Sequence, residues 1–331
     1  MAHFKLEAEI SGLRCSFDAG QELEFRYKSS PPVVVSLKAP DRNDEARSIS
    51  IVNAICTATS VVDIGPELKK ELGSCLENGN VKISKLTPNT LKIIDDIFPR
   101  LRAVSRSTII MFNWTHGLDG PPDPYGLPYA FYSEDGDKWF RYSQARRIEI
   151  LLEEATHSIF ARNAQIDEVV RKVEAGAEEP LARQVFREAW SQIGVNPRSA
   201  LVIGVSAAEV GLRGLIGTLI PDAKWLVQEI QTPPVGKVLR KFLPTLQVKA
   251  RWVDGRPITL PLKIVKLVEK AFQLRNDVVH VGASPPARRE LAAMLRAISD
   301  FLWICDVYLG ERWAMKHVSL DTKKDWPSKS S

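Results

Sequence analysis

The sequence predicts an α+β fold, with a β-rich N-terminal domain followed by an all-helical bundle. Three observations carry this expectation. Phe4–Ile10, Leu23–Tyr27 and Val33–Leu37 alternate apolar and polar residues, whereas from about Ser143 onward the apolar residues recur every three or four. The charge changes with the pattern: residues 1–180 carry 22 Lys/Arg against 27 Asp/Glu, net −5, and residues 181–331 carry 23 against 13, net +10. At 331 residues, 44% hydrophobic and 26% charged, the chain is long enough for two domains with separate cores.

The elements follow in order. The three alternating stretches are strands, and the β-branched run Ser48–Val62 adds one or two more. Pro66–Leu76 and Asn89–Leu101 read as short helices. Thr108–Trp114 and Tyr129–Tyr132 read as strands flanking the Gly/Pro-rich loop 117–128, and 133–137 as a tight turn into Trp139–Tyr142. Gln144–Val173 is expected to be helical with mixed charge. Leu181–Ile193 is a further helix, and Asn196-Pro197 opens the apolar helix 198–220, proline suiting a first turn. Short helices are expected at 222–230 and 235–243, a long pair at 262–280 and 287–309, and a frayed basic tail after that. The expected domains are 1–142 (β-rich, accessory or sensing), 143–195 (helical connector), 196–310 (helical bundle) and 311–331 (basic tail).

Several function classes fall away. The Met-Ala-His-Phe-Lys-Leu-Glu start lacks an apolar signal core, and Cys15, Cys56, Cys75 and Cys305 form no C-x-x-C pair. These features predict a cytoplasmic protein without disulfides, metal or cofactor. The run Ala200–Ile220 is interrupted by Glu209, Arg213 and four glycines, so it reads as a core helix and no membrane association is expected. Neither a glycine-rich phosphate loop nor a Ser-His-Asp arrangement is visible. The basic half suits a polyanion such as RNA, or simply solubilises the chain.

The candidate site is Arg275-Asn276-Asp277-Val278-Val279-His280. On a helical wheel Arg275 falls in the middle of the stripe Ile264, Leu267, Val268, Ala271, Phe272, Leu274, Val278 and Val279. A buried, unpaired guanidinium costs several kcal/mol, so it needs a partner or a purpose. Glu209 lies mid-stripe on its own apolar helix, which predicts that it hydrogen-bonds Arg275 or Asn276, with Arg213 as a rival partner one turn away.

A long apolar helix bearing one glutamate, two prolines, then a helix ending Leu-Arg-Asn-x-x-x-His-x-Gly before a final helix resembles the HEPN superfamily, over Asn196 to Gly310. The resemblance implies an all-helical bundle, commonly dimeric, and a metal-independent ribonuclease whose motif is Arg275, Asn276 and His280. It also implies a role as toxin or phage-defence effector, an antitoxin or regulatory partner, and a β-rich half that controls the helical one.

The chemistry suits RNA, whose 2′-hydroxyl can attack the adjacent phosphorus without metal. His280 can move protons near neutrality, Arg275 can hold two phosphoryl oxygens, and Asn276 can orient either. On a regular helix Arg275 and His280 stand about 140° apart, so either the helix ends before His280 or two copies converge on one substrate. The alternatives are a non-catalytic module that binds nucleic acid, nucleotide or a partner protein, with Arg275–Glu209 as a structural pair and His280 as a helix C-cap. A third reading has the β half bind carbohydrate.

The residues left to packing are Asn113-Trp114-Thr115-His116, a strand end with an aromatic core residue, together with Trp139 and Phe140. Tyr125, Tyr129 and Tyr132 either stack on bases or sugars or stabilise their loop. Lys316, Lys323, Lys324 and Lys329 either meet phosphates or lie on a solvated tail.

Overall fold

The computed structural model describes residues 1–16, 22–38, 53–117, 128–142, 159–160, 166–229, 235–246 and 260–324. They divide into two units, Met1–Glu178 and Glu179–Ser331, and the division falls inside the expected connector. The α+β class holds: a mixed sheet with helices makes up the first unit, and the described elements of the second are helical.

The spine of the first unit is β1 (Ala2–Ser16). It is followed by β2 (Glu22–Tyr27), β3 (Val33–Lys38) and β4 (Asn53–Val62), then by helix α1 (Gly65–Ser74) and the short strands β5 (Leu76–Glu77) and β6 (Asn80–Val81). Helix α2 (Pro88–His116), β7 (Tyr129–Ser133), β8 (Phe140–Arg141), β9 (Ile159–Phe160) and α3 (Ile166–Glu174) complete it. The sheet order is β2-β3-β4-β1-β7-β8-β6-β5, with β9 beside the far end of β1. Period-two alternation sends Phe4, Leu6, Ala8, Phe25, Val35, Leu37, Cys56 and Ala58 to a buried face. Helix α2 packs against that layer with Ile94, Leu101, Ile109 and Phe112 buried, Phe112 meeting Phe25 edge-on at 5.9 Å between centroids. Burying each such side chain stabilises the fold by roughly 1.5–3 kcal/mol.

One strand expectation is corrected. Thr108–Trp114 is the last stretch of α2, not a strand. Its β-branched residues favour a strand locally, but Leu101, Ser105, Thr108, Ile109 and Phe112 recur at helical spacing and all are buried. The ends are fixed as well. Thr87 accepts from the Thr90 N–H at 3.4 Å, Pro88 occupies the first turn, and Gly117 closes the helix at φ 63°. A second expectation is corrected in part: Ile159–Phe160, within the expected helix 144–173, pairs as a strand with Cys15–Ser16, while α3 is helical; residues 143–158 and 161–165 lie outside the described residues, as do 48–52 and Tyr125.

The second unit contains α4 (Leu181–Ser191), α5 (Pro197–Leu219), the short α6 (Lys224–Glu229) and α7 (Val235–Lys237), α8 (Leu262–Asn276), α9 (Arg288–Tyr308) and α10 (Leu320–Lys324). Helix α5 is long and apolar enough to cross a membrane, but it packs as a core helix against α4, α8 and α9. Gly204 and Gly211, two turns apart, allow the close approach: a Cβ on either would collide with Leu295 or Leu302 of α9.

The expected frayed tail is also corrected, as far as Lys324. Arg312–His317 forms a 3₁₀ turn, and α10 follows, with Ala314, Val318 and Thr322 buried. The cause is Asp300 of α9. Its carboxylate is buried and needs donors, which the tail supplies from the Ser319 N–H at 2.8 Å, the Ser319 hydroxyl at 2.6 Å and the Thr322 hydroxyl at 2.5 Å.

Candidate functional site

Helix α8 buries Ile264, Val265, Val268, Ala271 and Phe272, and Arg275 follows one turn beyond Phe272. Helix α5 is held at its start by Asn196, whose side chain accepts from the Ser199 N–H at 3.1 Å, and it carries Glu209 near its middle. The two helices bring these charges together: Arg275 Nη2 donates to Glu209 Oε1 at 2.5 Å. The pairing expected between Glu209 and either Arg275 or Asn276 is therefore made with Arg275. It differs from expectation in depth. The side chains are 19% and 20% exposed, so the pair sits at the edge of the bundle rather than inside it. Arg275 Nε is enclosed and meets no acceptor among the described residues, and the guanidinium stands 5.9 Å from the Phe272 ring centroid.

Beyond Asn276 the backbone changes. Asp277–Val281 is a π turn, with the Gly282 N–H reaching the Asp277 carbonyl, and Gly282 ends it at φ 73°. Such i→i+5 turns are rare and often mark functional sites. The consequence here is geometric, because a wider turn rotates residues five apart towards a common side. Arg275 and His280 are five apart, so the turn narrows the angle that a regular helix would place between them. Asn276 is half-buried, while His280 is exposed on the turn. Asp277 is half-buried and accepts from Gln273 Nε2 at 3.1 Å. Val279 and Val281, on either side of His280, are 50% and 79% exposed.

Sequence reading missed a second set of charges in the same unit. Arg183 of α4 donates through Nε and Nη2 to Asp306 Oδ2 of α9 at 3.1 and 3.0 Å, and its guanidinium lies 3.3 Å from the Trp303 ring centroid. Arg187 pairs with Glu179, and all four side chains are at most 8% exposed. Burial pushes the Glu179 carboxyl up and the Arg187 guanidinium pulls it back only in part. The available signal was the spacing of Arg183 and Arg187, four residues apart on one face of α4, with Glu179 just ahead of that helix.

Other chemistry-bearing groups among the described residues of both units are accounted for by packing. Among the described residues, no group of three His, Cys, Asp or Glu side chains stands together as metal ligands would. Cys56, Cys75 and Cys305 are buried free thiols, and burial raises the Cys56 and Cys305 pKa values, which leaves poor nucleophiles. His116 stacks on Phe112 at 4.1 Å between centroids, its Nδ1 within 2.9 Å of the Phe112 carbonyl, and Trp114 is in the core. Tyr132 is buried and Tyr129 is 40% exposed.

Fold and site together define an α+β chain whose helical unit carries an Arg–Glu pair, at the bundle edge, beside a π turn bearing an exposed histidine. No family model, no curated protein and no solved structure matches the chain.

Proposed function

We propose that this chain is a metal-independent endoribonuclease of the HEPN type. Its catalytic residues are Arg275, Asn276 and His280, with Glu209 positioning Arg275. The supporting observation is the partly exposed Arg275, held by Glu209 at 2.5 Å, just before the turn that bears His280. A guanidinium held by one nitrogen keeps donors for phosphate oxygens. In the reaction the ribose O2′ bonds to phosphorus and the P–O5′ bond breaks. One imidazole takes the 2′-hydroxyl proton and another supplies the proton that the leaving 5′ oxygen needs.

Two imidazoles require two copies, so the enzyme works as a homodimer joined around the motif helices. The exposed Val279 and Val281 beside His280 favour such a contact, since apolar residues at a helix end gain by being covered. RNA meets the second unit, in which residues 181–331 carry the net +10 charge. The protein acts in the cytoplasm as a toxin or phage-defence effector, the β-rich part controls when cleavage occurs, and a partner that shields the motif turn serves as antitoxin.

The test is incubation of purified protein with RNA in the presence of a chelator. Cleavage persists, leaves 2′,3′-cyclic phosphate ends and disappears in His280→Ala. A strict requirement for divalent metal, or cutting by His280→Ala at the wild-type rate, sinks the proposal. The second reading, a non-catalytic module binding nucleic acid, nucleotide or a partner protein, is favoured by the same ion pair, because Glu209 neutralises Arg275. It expects RNA binding that survives His280→Ala, with no cleavage by the wild type.

A further inference from the structure

The sheet of the first unit has two faces, and only one is committed to the core. Phe4, Leu6 and Tyr132 turn inward, where Phe98 meets Phe4 edge-on at 5.9 Å and stacks on Tyr142 at 5.2 Å. Alternation therefore turns Lys5, Glu7, Tyr129, Phe131 and Arg141 to the outer face, where the register pairs Lys5 with Phe131, Glu7 with Tyr129, and Phe131 with Arg141. Trp139 joins them beside Lys5.

On this face cations and aromatic rings interleave. The Arg141 guanidinium lies 4.2 Å from the Tyr129 ring centroid, and the Lys5 ammonium lies 4.5 Å from Phe131 and 4.8 Å from Trp139. Packing explains Phe131, which the lysine covers. It does not explain Tyr129, which presents a ring to solvent at 40% exposure beside an exposed arginine. The outward residues of β2, by contrast, are the ordinary charged set Glu22, Glu24 and Arg26.

We propose that this face binds single-stranded RNA, with bases stacking on Tyr129 and Trp139 and phosphates meeting Arg141. Rings between fixed cations match the alternation of bases and phosphates in an unpaired strand, and every base offers a π-face whatever its identity. A duplex hides those faces and gives the rings nothing to stack on. Glu7, on the same stripe, is neutralised by Lys5 at 3.3 Å, and the acidic turn Glu134–Asp137 bounds one end of the surface. The inference rests on the ribonuclease reading only for the choice of RNA as the polymer; it gives the β-rich part the task of capturing the strand.

Fluorescence anisotropy tests it with an RNA of about 12 nucleotides, rich in uridine and within the span of one such surface. The full-length His280→Ala protein keeps the RNA intact. In that background Tyr129→Ala weakens binding about 5- to 100-fold, and Tyr129→Phe, which keeps the ring, restores it. Arg141→Glu weakens binding and flattens its salt dependence, and a duplex of the same sequence binds less tightly than the single strand. Both positions are exposed, and circular dichroism confirms that each variant is folded. Parent-like affinity in both Tyr129→Ala and Arg141→Glu overturns the inference, as does failure of the parent to bind. If wild-type protein cuts RNA while these variants bind normally, only this surface is refuted. If the surface captures RNA that wild-type protein never cuts, only the nuclease reading falls.

Discussion

The helical unit holds the same chemical pair, arginine with carboxylate, at two depths. Arg183–Asp306 and Arg187–Glu179 are sealed at no more than 8% exposure, with Trp303 closing one face of Arg183. Arg275–Glu209 is about one-fifth open. A sealed pair can do little except hold α4 to its neighbours, because any exchange of partner strands a charge in an apolar interior. A pair at the bundle edge can exchange its carboxylate for phosphate at low cost, since water screens the intermediate. Depth thus separates scaffold from candidate site more sharply than residue type does.

The largest expected effect tests the sealed side. Arg183→Ala leaves Asp306 buried without its main donors and should lower stability by about 3–5 kcal/mol in chemical denaturation. Cleavage per folded molecule should stay near wild type. A loss below about 1 kcal/mol, the range of exposed pairs, would erase the distinction drawn above.

Arg275→Ala tests the open side and should behave in the opposite way. Removing one group that stabilises developing charge lowers cleavage about 100- to 1,000-fold, equivalent to about 2.7–4 kcal/mol of barrier. Stability should fall by no more than about 1 kcal/mol, because the pair is partly solvated. An Arg275→Ala protein that unfolds like Arg183→Ala, yet cuts RNA normally, would place this pair with the scaffold.

These differences also show how much could be read from the sequence. The strands β1 to β3 announced themselves because one face is buried, and alternation is then unavoidable. The Glu209–Arg275 contact was legible because two opposite charges each interrupted an apolar stripe. Arg183 and Asp306 satisfied the same logic, but Asp306 sits in the apolar run Phe301–Tyr308 of α9, where no periodicity singles it out. Thr108–Trp114 failed for a related reason: a short apolar run rich in β-branched residues has no period that separates a strand from a buried helix. The π turn at Asp277–Val281 had no sequence signal beyond Gly282. The ordered tail depended on Asp300, a contact made across nineteen residues.

A medium effect bears on the frame common to both pairs. Gly211 lets α5 approach α9, where an added Cβ would meet Leu302, with Ala182 of α4 on the same side. Gly211→Ala should therefore cost about 1–3 kcal/mol through overpacking. Gly211 is also two residues from Glu209, so the shift should reach the open pair and slow cleavage more than the stability loss alone requires. Gly214→Ala is the control: a Cβ there meets nothing, and a better helix former should be neutral or slightly stabilising. Equal loss in both variants would remove close packing as the reason.

The smallest effect concerns a third way to hold a charge, without any cation. Asp135 in the turn after β7 accepts from the backbone N–H groups of Asp137 at 2.9 Å and Lys138 at 3.1 Å, and from the Ser133 hydroxyl at 3.0 Å. These donors, the Asp137 N–H first, lower its pKa from 3.8 to about 2. Because the folded value is depressed, the stabilisation is complete above the unfolded pKa and is lost as pH falls from about 3.8 through about 2. An NMR titration of the Asp135 carboxyl should have its midpoint near the lower value. Asp135→Asn should flatten the acid limb of the stability curve in that window and leave the curve above pH 5 almost parallel to wild type. A midpoint at the ordinary value would mean that the turn opens in solution. The placement of Trp139, which follows that turn, would then lose its anchor, whereas the sealed and open pairs of the helical unit would be untouched.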